Sequence, residues 1–141
     1  MRWPVFNVFV GGGLGAIARE FSMLMLGRYS TAFPVDVFVA NVLASFLLGF
    51  IFGLSRAGRM SKNVTLLVST GFCGGMSTFS TFIFGAYSEM TSPGQLGLSL
   101  LYIIASLVVG YSVTWLGLRV ASRLTPGFQG DTHDSRREHA R

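Results

Sequence analysis

Charged residues are scarce in this 141-residue chain: they make up 12% of it, against about a quarter in ordinary soluble proteins. Hydrophobic residues make up 50%, and the mean hydropathy is +0.55. This balance indicates a membrane protein with room for one domain. Cysteine is almost absent too, because Cys73 stands alone within an apolar run. An intrachain disulfide is therefore excluded, and a zinc site would need ligands that are missing around it.

The net charge of +5 does not indicate a nucleic-acid-binding protein. The basic residues lie between apolar runs and in the C-terminal tail, and they form no basic face. Enzymatic signatures are also missing, since no nucleophile with a nearby base, no metal cluster and no cofactor loop is present. The glycines of GGGLGAIA follow no strand, so they do not form a dinucleotide-binding loop. The chain is therefore predicted not to be an enzyme and to need no organic cofactor.

Four stretches are long and apolar enough to cross a bilayer as helices, which takes about 20 residues each. They cover residues 3–26, 35–54, 64–87 and 96–120. Short turns rich in Gly, Pro, Ser and Asn separate them, so we expect consecutive helices to pack antiparallel. We predict an all-α membrane protein with one four-helix domain over 1–121 and a polar, disordered tail over 122–141.

The basic residues are unevenly divided between the two ends of these four spans. An even number of spans puts both termini on one side, and that side carries Arg2, Arg56, Arg59, Lys62, Arg119, Arg123, Arg136, Arg137 and Arg141. The opposite side carries Arg28. The positive-inside rule therefore predicts cytoplasmic termini.

Polar side chains at membrane depth are costly and draw attention to function. Arg19 and Glu20 lie inside the first span, about 100° apart on the helix, which rules out the usual i, i+4 pairing. Arg19 either snorkels to the interface or faces an aqueous vestibule that attracts anions. Asn41 has apolar neighbours and Ser45 one turn on, so its amide either bonds across helices or lines a polar path.

The first and fourth spans carry small or polar residues at intervals of four. In the first span, Gly11 and Gly15, like Gly12 and Ala16, are four apart, which is typical of close helix packing in lipid. In the fourth span, a four-residue spacing puts a stripe on one helical face: Tyr102, Ser106, Gly110 and Thr114. Such hydroxyls either bond back to carbonyls of their own helix or line a polar track.

The third span carries the segment GFCGGMSTFSTFIFGAY, residues 71–87. Its glycines, Gly71, Gly74 and Gly75, are expected to weaken the helix. The hydroxyl side chains that follow can satisfy freed backbone groups; they belong to Ser77, Thr78, Ser80 and Thr81. A broken membrane helix exposes carbonyl oxygens, which are ligands for small cations such as sodium. Phe79 and Phe82 lie three apart, and the positive edges of their rings can contact an anion. Taken alone, two phenylalanines also fit simple packing.

The block GFCGGMSTFSTF, together with Asn41 and GGGLGAIAR, resembles the Fluc (CrcB) fluoride channel family over residues 11–116. The resemblance implies a passive channel that exports cytoplasmic fluoride across the bacterial inner membrane. It also implies a dual-topology antiparallel homodimer with two separate pores. Dual topology calls for nearly balanced basic flanks, and here the motif outweighs the charge count, because few residues can set orientation and the tail supplies much of the basic excess. The implied partners are fluoride, sodium, membrane lipid and a second copy of the chain.

The resemblance further implies roles for individual residues. Phe79 and Phe82 would form a phenylalanine box that lines the pores, with Asn41 as a hydrogen-bond donor to the ion. The polar track would comprise Ser80, Thr81, Tyr102, Ser106 and Thr114. Arg19 would lie near the pore mouth. A structural sodium ion at the dimer centre would be held by backbone carbonyls of Gly74 and Ser77, with Thr78 as a further candidate.

Three positions depart from the family's pattern: Glu20 replaces a frequent aromatic residue, Ser77 replaces a frequent threonine, and Gly110 interrupts the hydroxyl stripe. Two other functions remain open at this point. A small proton-coupled multidrug exporter would use a carboxylate within its first helix, for which Glu20 is the candidate. A small assembly subunit without transport activity would conduct nothing.

Overall fold

A computed structural model describes residues 3–30, 34–91 and 96–125. Within these ranges the chain forms four helices that are long and apolar enough to span a membrane, so the predicted all-α architecture is confirmed. Three of the spans are built on α1 (Trp3–Leu26), α2 (Val35–Arg56) and α6 (Leu96–Leu124). A short 3₁₀ turn, Gly27–Tyr29, extends α1.

The third span is broken, as predicted. It consists of α3 (Lys62–Thr65), a π-helical segment (Leu66–Cys73), α4 (Gly74–Met76) and α5 (Phe79–Thr91). Ser77, with φ −74° and ψ 151°, leaves the helical region and separates α4 from α5. All three glycines lie in helical segments and the break comes after them, so their expected weakening of the helix stays a prediction.

Two of these glycines, Gly71 and Gly75, pack against α1. A Cβ atom on Gly11 would collide with the carbonyl oxygen of Leu67, and one on Gly75 would collide with that of Gly12. On Gly15, a Cβ would meet the carbonyl of Phe72. Sequence numbers rise together on both sides of this seam, so α1 and the third span run parallel. The close-packing role predicted for the α1 glycines is confirmed.

A second glycine seam joins α2 to α6. A Cβ on Gly49 would meet the carbonyl oxygen of Thr114, and one on Gly117 would meet that of Phe46. These two helices also run parallel. In contrast, α5 lies antiparallel to α6, because Phe82 contacts Tyr102 whereas the carbonyl of Ala86, further along α5, accepts a 2.8 Å hydrogen bond from the buried hydroxyl of Ser99, earlier on α6. Consecutive α5 and α6 therefore pack as the short turns predict.

Large apolar side chains cover much of the outer surface; they include Phe9, Leu24 and Tyr111. Such exposure is expected of helices that face lipid. Helix α6 continues to Leu124, so residues 122–124, which were assigned to the predicted tail, are helical. The rest of that tail, from residue 126 onward, lies outside the described residues.

Candidate ion pathway at the broken helix

The Asn41 side chain bridges α2 to the break. Its Oδ1 accepts a hydrogen bond from the backbone N–H of Thr78 at 2.8 Å, and its Nδ2 donates to the carbonyl of the same residue at 3.3 Å. One amide thereby pairs with both backbone polar groups of Thr78, which would otherwise be costly to leave unpaired in a membrane. Of the two alternatives for Asn41, the bond across helices is present, and its pore-lining role remains a prediction.

The Thr78 side chain begins the second half of the broken helix. Its buried hydroxyl oxygen accepts a hydrogen bond from the N–H of Thr81 at 3.2 Å, which is the geometry of a helix N-cap. The same hydroxyl lies 3.1 Å from the Thr81 hydroxyl and 3.3 Å from that of Ser80. A small hydroxyl cluster therefore surrounds the start of α5, as the sequence predicted for freed backbone groups.

Three aromatic rings lie in a row beside this cluster. The centroids of Phe79 and Phe82 are 6.1 Å apart, with their planes inclined by 36°. The centroids of Phe82 and Tyr102 are 5.1 Å apart, with an inclination of 39°. The outer ring, Phe79, is 75% exposed, whereas Tyr102 is fully buried. Tilted rings turn edges toward their neighbours, and these edges carry partial positive charge.

The residues of the α6 stripe contact two different helices, α5 and α2. Tyr102 contacts α5 through Phe82, whereas the Thr114 hydroxyl lies 3.2 Å from the carbonyl oxygen of Ser45 on α2. The Thr114 hydroxyl is also 2.8 Å from the carbonyl of Gly110, which is the packing arrangement considered for such residues. Ser106 lies between them, and its buried hydroxyl has no hydrogen-bond partner among the described residues.

Arg19 does not join the ring row or the hydroxyl cluster through any hydrogen bond or ion pair that the described residues show. Its Nη2 atom lies 3.6 Å from Oε1 of Glu20, with the two side chains 27% and 64% exposed. Long side chains bridge the angular gap between adjacent positions, so an ion pair forms without the usual i, i+4 spacing. The Nε atom of Arg19 is buried and has no hydrogen-bond partner in the described part of the chain.

The break borders an open groove of about 330 Å³ between α2 and the third span. Its lining includes Ser45, Ser69, Thr70, Gly74 and Ser77. Gly74 and Ser77 are exposed, and a Cβ atom on Gly74 would meet nothing within 4 Å. Among the described residues no group of three or more His, Cys, Asp or Glu is placed to hold a metal. Neutral carbonyl and hydroxyl oxygens are therefore the donor set at this groove, and they suit a hard cation such as sodium.

Two features of the site were missed by sequence reasoning. The hydroxyl of Thr78 caps α5; sequence analysis expected this hydroxyl to satisfy a freed backbone group but did not identify Thr78 as the N-cap or Thr81 as its partner. A threonine three residues before Thr81, shortly after Gly74 and Gly75, was the available signal, because Ser and Thr favour the N-cap position. The buried bond from Ser99 to Ala86 carried no comparable signal, since one serine in an apolar run does not identify its partner.

Comparison with known proteins places these features in a family. The family described as CrcB-like protein, Camphor Resistance (CrcB), matches residues 6–118. A relative from Yersinia pseudotuberculosis, "Fluoride-specific ion channel FluC 3", is 44% identical over 86% of this chain and 91% of its own length. The Pyrococcus furiosus protein "Fluoride-specific ion channel FluC" is 41% identical over 82% of this chain and 94% of its own length. A Brucella abortus relative, "Fluoride-specific ion channel FluC 1", is 37% identical over 84% of this chain, which spans 44% of that protein.

Proposed function

The chain belongs to the CrcB family, and on that premise we propose that it is a fluoride-selective channel through which cytoplasmic fluoride leaves the cell passively. It is a multi-pass membrane protein, and its family consists of channels and not enzymes. The observation that carries the proposal is the row of Phe79, Phe82 and Tyr102 beside the hydroxyl cluster of the break. This row combines ring edges with neutral donors along one side of α5.

The chemistry of fluoride suits such a lining. Fluoride is small and strongly hydrated, so a selective pore must replace its water with fixed donors in a space that excludes larger halides. Hydroxyls of Ser80, Thr81 and Ser106 supply donors, and the unbonded buried hydroxyl of Ser106 is available to accept or donate. Asn41 commits one N–H to Thr78 and retains a second that can face the ion. A fixed positive charge at the narrowest point would hold the anion too tightly for release, so the proposed pore needs none there.

We further propose that the functional unit is a dual-topology antiparallel homodimer with two pores in the bacterial inner membrane, surrounded by lipid. The exposure of Phe79, Gly74 and Ser77 supports this assembly, because a second copy would cover polar backbone at membrane depth. Gly74 and Ser77 would hold a structural sodium ion with their carbonyls, with Thr78 as a further candidate. Sodium, when bound, supplies a fixed positive charge at the subunit contact. Arg19 would attract anions near the pore mouth.

The test is ion efflux from liposomes that contain the purified protein. Internal fluoride is released into fluoride-free buffer, with potassium and valinomycin present to balance charge. A passive channel predicts rapid fluoride loss that requires valinomycin and no proton gradient. The exporter alternative predicts proton-driven uptake of a cationic dye that Glu20→Gln abolishes, and no fluoride loss. An assembly subunit predicts that folded protein conducts neither.

A further inference from the structure

Two backbone N–H groups at the break do not make the hydrogen bonds that a continuous helix would give them. In an α-helix each N–H bonds to the carbonyl four residues earlier, which would pair Thr78 with Gly74 and Thr81 with Ser77. Here the N–H of Thr78 donates to Oδ1 of Asn41 at 2.8 Å, and the N–H of Thr81 donates to the hydroxyl of Thr78 at 3.2 Å. Side-chain oxygens therefore accept both of the hydrogen bonds that backbone carbonyls would accept in a continuous helix.

The two carbonyls that lose these donors are those of Gly74 and Ser77. We propose that the side chains of Asn41 and Thr78 are positioning residues, which hold these two carbonyls open for a cation by diverting the N–H groups that would otherwise occupy them. The proposal rests on the sodium site in the proposed function and adds the residues that create it. Neither side chain needs to touch the cation.

The Asn41 amide is well suited to this role because it hydrogen-bonds to both backbone polar groups of Thr78. Its Nδ2 donates to the Thr78 carbonyl at 3.3 Å while its Oδ1 accepts from the N–H of the same residue. Rotation of Ser77 back into a helical conformation would break both hydrogen bonds. In the membrane, no water would replace them.

The same contacts distinguish the carbonyl of Thr78 from the other two carbonyls that sequence analysis named as candidate sodium ligands. The carbonyl of Thr78 already accepts a hydrogen bond from Asn41, and Thr78 is 8% exposed. Gly74 and Ser77 are exposed and border the groove beside α2. Gly74 and Ser77 are therefore assigned as the ligands, and Thr78 serves through its hydroxyl.

The test measures how sodium stabilises the purified protein against heat. Protein is prepared in detergent with N-methylglucamine in place of sodium, and the unfolding midpoint is followed as sodium replaces N-methylglucamine at constant ionic strength. Native protein is expected to show a saturable rise of the midpoint. Thr78→Val removes the hydroxyl acceptor and nearly preserves shape, and Asn41→Leu removes the amide. Each is expected to raise the half-saturating sodium concentration by roughly two- to tenfold, the effect of one restored competing hydrogen bond.

Two matched variants serve as controls. Thr78→Ser keeps a hydroxyl at the cap and is expected to keep the native sodium response. Ser80→Ala removes a hydroxyl that contacts Thr78 but accepts neither diverted N–H, so it is also expected to respond like the native protein. Because Thr78 and Asn41 lie on different helices, the variant that folds decides the question if the other does not.

The outcomes separate this inference from the proposed function. If folded Thr78→Val and Asn41→Leu proteins keep the native half-saturating sodium concentration, the positioning role is wrong while the sodium site stands. If native protein shows no sodium response, both the site and the positioning role are wrong. Fluoride efflux from liposomes is measured separately on the native chain, so either result leaves the channel claim to its own test.

Discussion

The ring of Phe82 lies 5.1 Å from the ring of Tyr102, so the broken third span and α6 meet through an aromatic contact. This contact connects two elements that the sequence separates by about 20 positions. It also joins one member of the phenylalanine pair to the first residue of the α6 stripe. The break and the stripe therefore lie next to each other in the folded chain.

Changing Tyr102 tests the contact itself. Tyr102→Leu removes the ring from Phe82 and is expected to lower stability by about 1 kcal/mol beyond the loss of buried area. Fluoride efflux should fall as well, because Phe82 loses its support. Tyr102→Phe keeps the ring and should retain most of the stability. Thermal unfolding of the two variants in detergent measures the difference, and equal midpoints would contradict a structural role for the ring pair.

Gly11→Ala is expected to prevent correct assembly of α1 with the third span. The added methyl group would collide with the carbonyl oxygen of Leu67, a backbone atom that cannot move aside cheaply. Gly13→Ala is the matched control, since a Cβ there meets nothing within 4 Å. The yield of monodisperse protein after gel filtration measures the outcome. Similar yields for both variants would contradict close packing of α1 against the third span at Gly11.

Ser99→Ala is expected to destabilise the packing of α5 on α6 by about 1 kcal/mol, because it strips a buried hydroxyl from the Ala86 carbonyl. Ser112→Ala is its control on the same helix, where the hydroxyl is exposed and bonds back to Val108. Urea or thermal unfolding in detergent gives the comparison. Equal losses at both positions would indicate that the Ser99 bond contributes little.

Glu20→Gln is expected to speed fluoride efflux a few-fold at low ionic strength. The Glu20 carboxylate lies 3.6 Å from the Arg19 guanidinium and offsets part of the positive potential that would attract an anion. High salt should shrink the difference, since mobile ions screen exposed charges beyond about 10 Å at 0.1 M. An equal gain at all salt concentrations would point to a cause other than charge.

Much of the fold could be predicted from composition and periodicity. The start of α1 at Trp3, of α2 at Val35 and of α6 at Leu96 agrees with the spans predicted from apolar length. The helices extend slightly further at their ends, to Arg56 and Leu124, because charged side chains at a helix terminus can reach the interface. Membrane spans are predictable because backbone groups in lipid must be paired within the helix.

The details of the break could not be predicted in the same way. The three glycines indicated weakness at Gly71, Gly74 and Gly75, yet each lies in a helical segment and the first and third pack closely on α1. The interruption falls at Ser77, next to Thr78, whose backbone hydrogen-bonds to Asn41, 37 positions away in sequence. No local pattern carries such a pairing. The π-helical segment Leu66–Cys73 likewise gives no distinctive periodicity in an apolar run.

The most direct test of the central claim compares fluoride and chloride efflux from liposomes for the native chain, Phe82→Ile and Phe9→Ile. Phe9 is 78% exposed on α1 and serves as a control for the loss of a ring away from the break. The account predicts fast fluoride loss with chloride retained for native and Phe9→Ile protein, and at least tenfold slower fluoride loss for folded Phe82→Ile, the effect of about 1.4 kcal/mol. Chloride loss as fast as fluoride loss, or undiminished fluoride loss in Phe82→Ile, would contradict it.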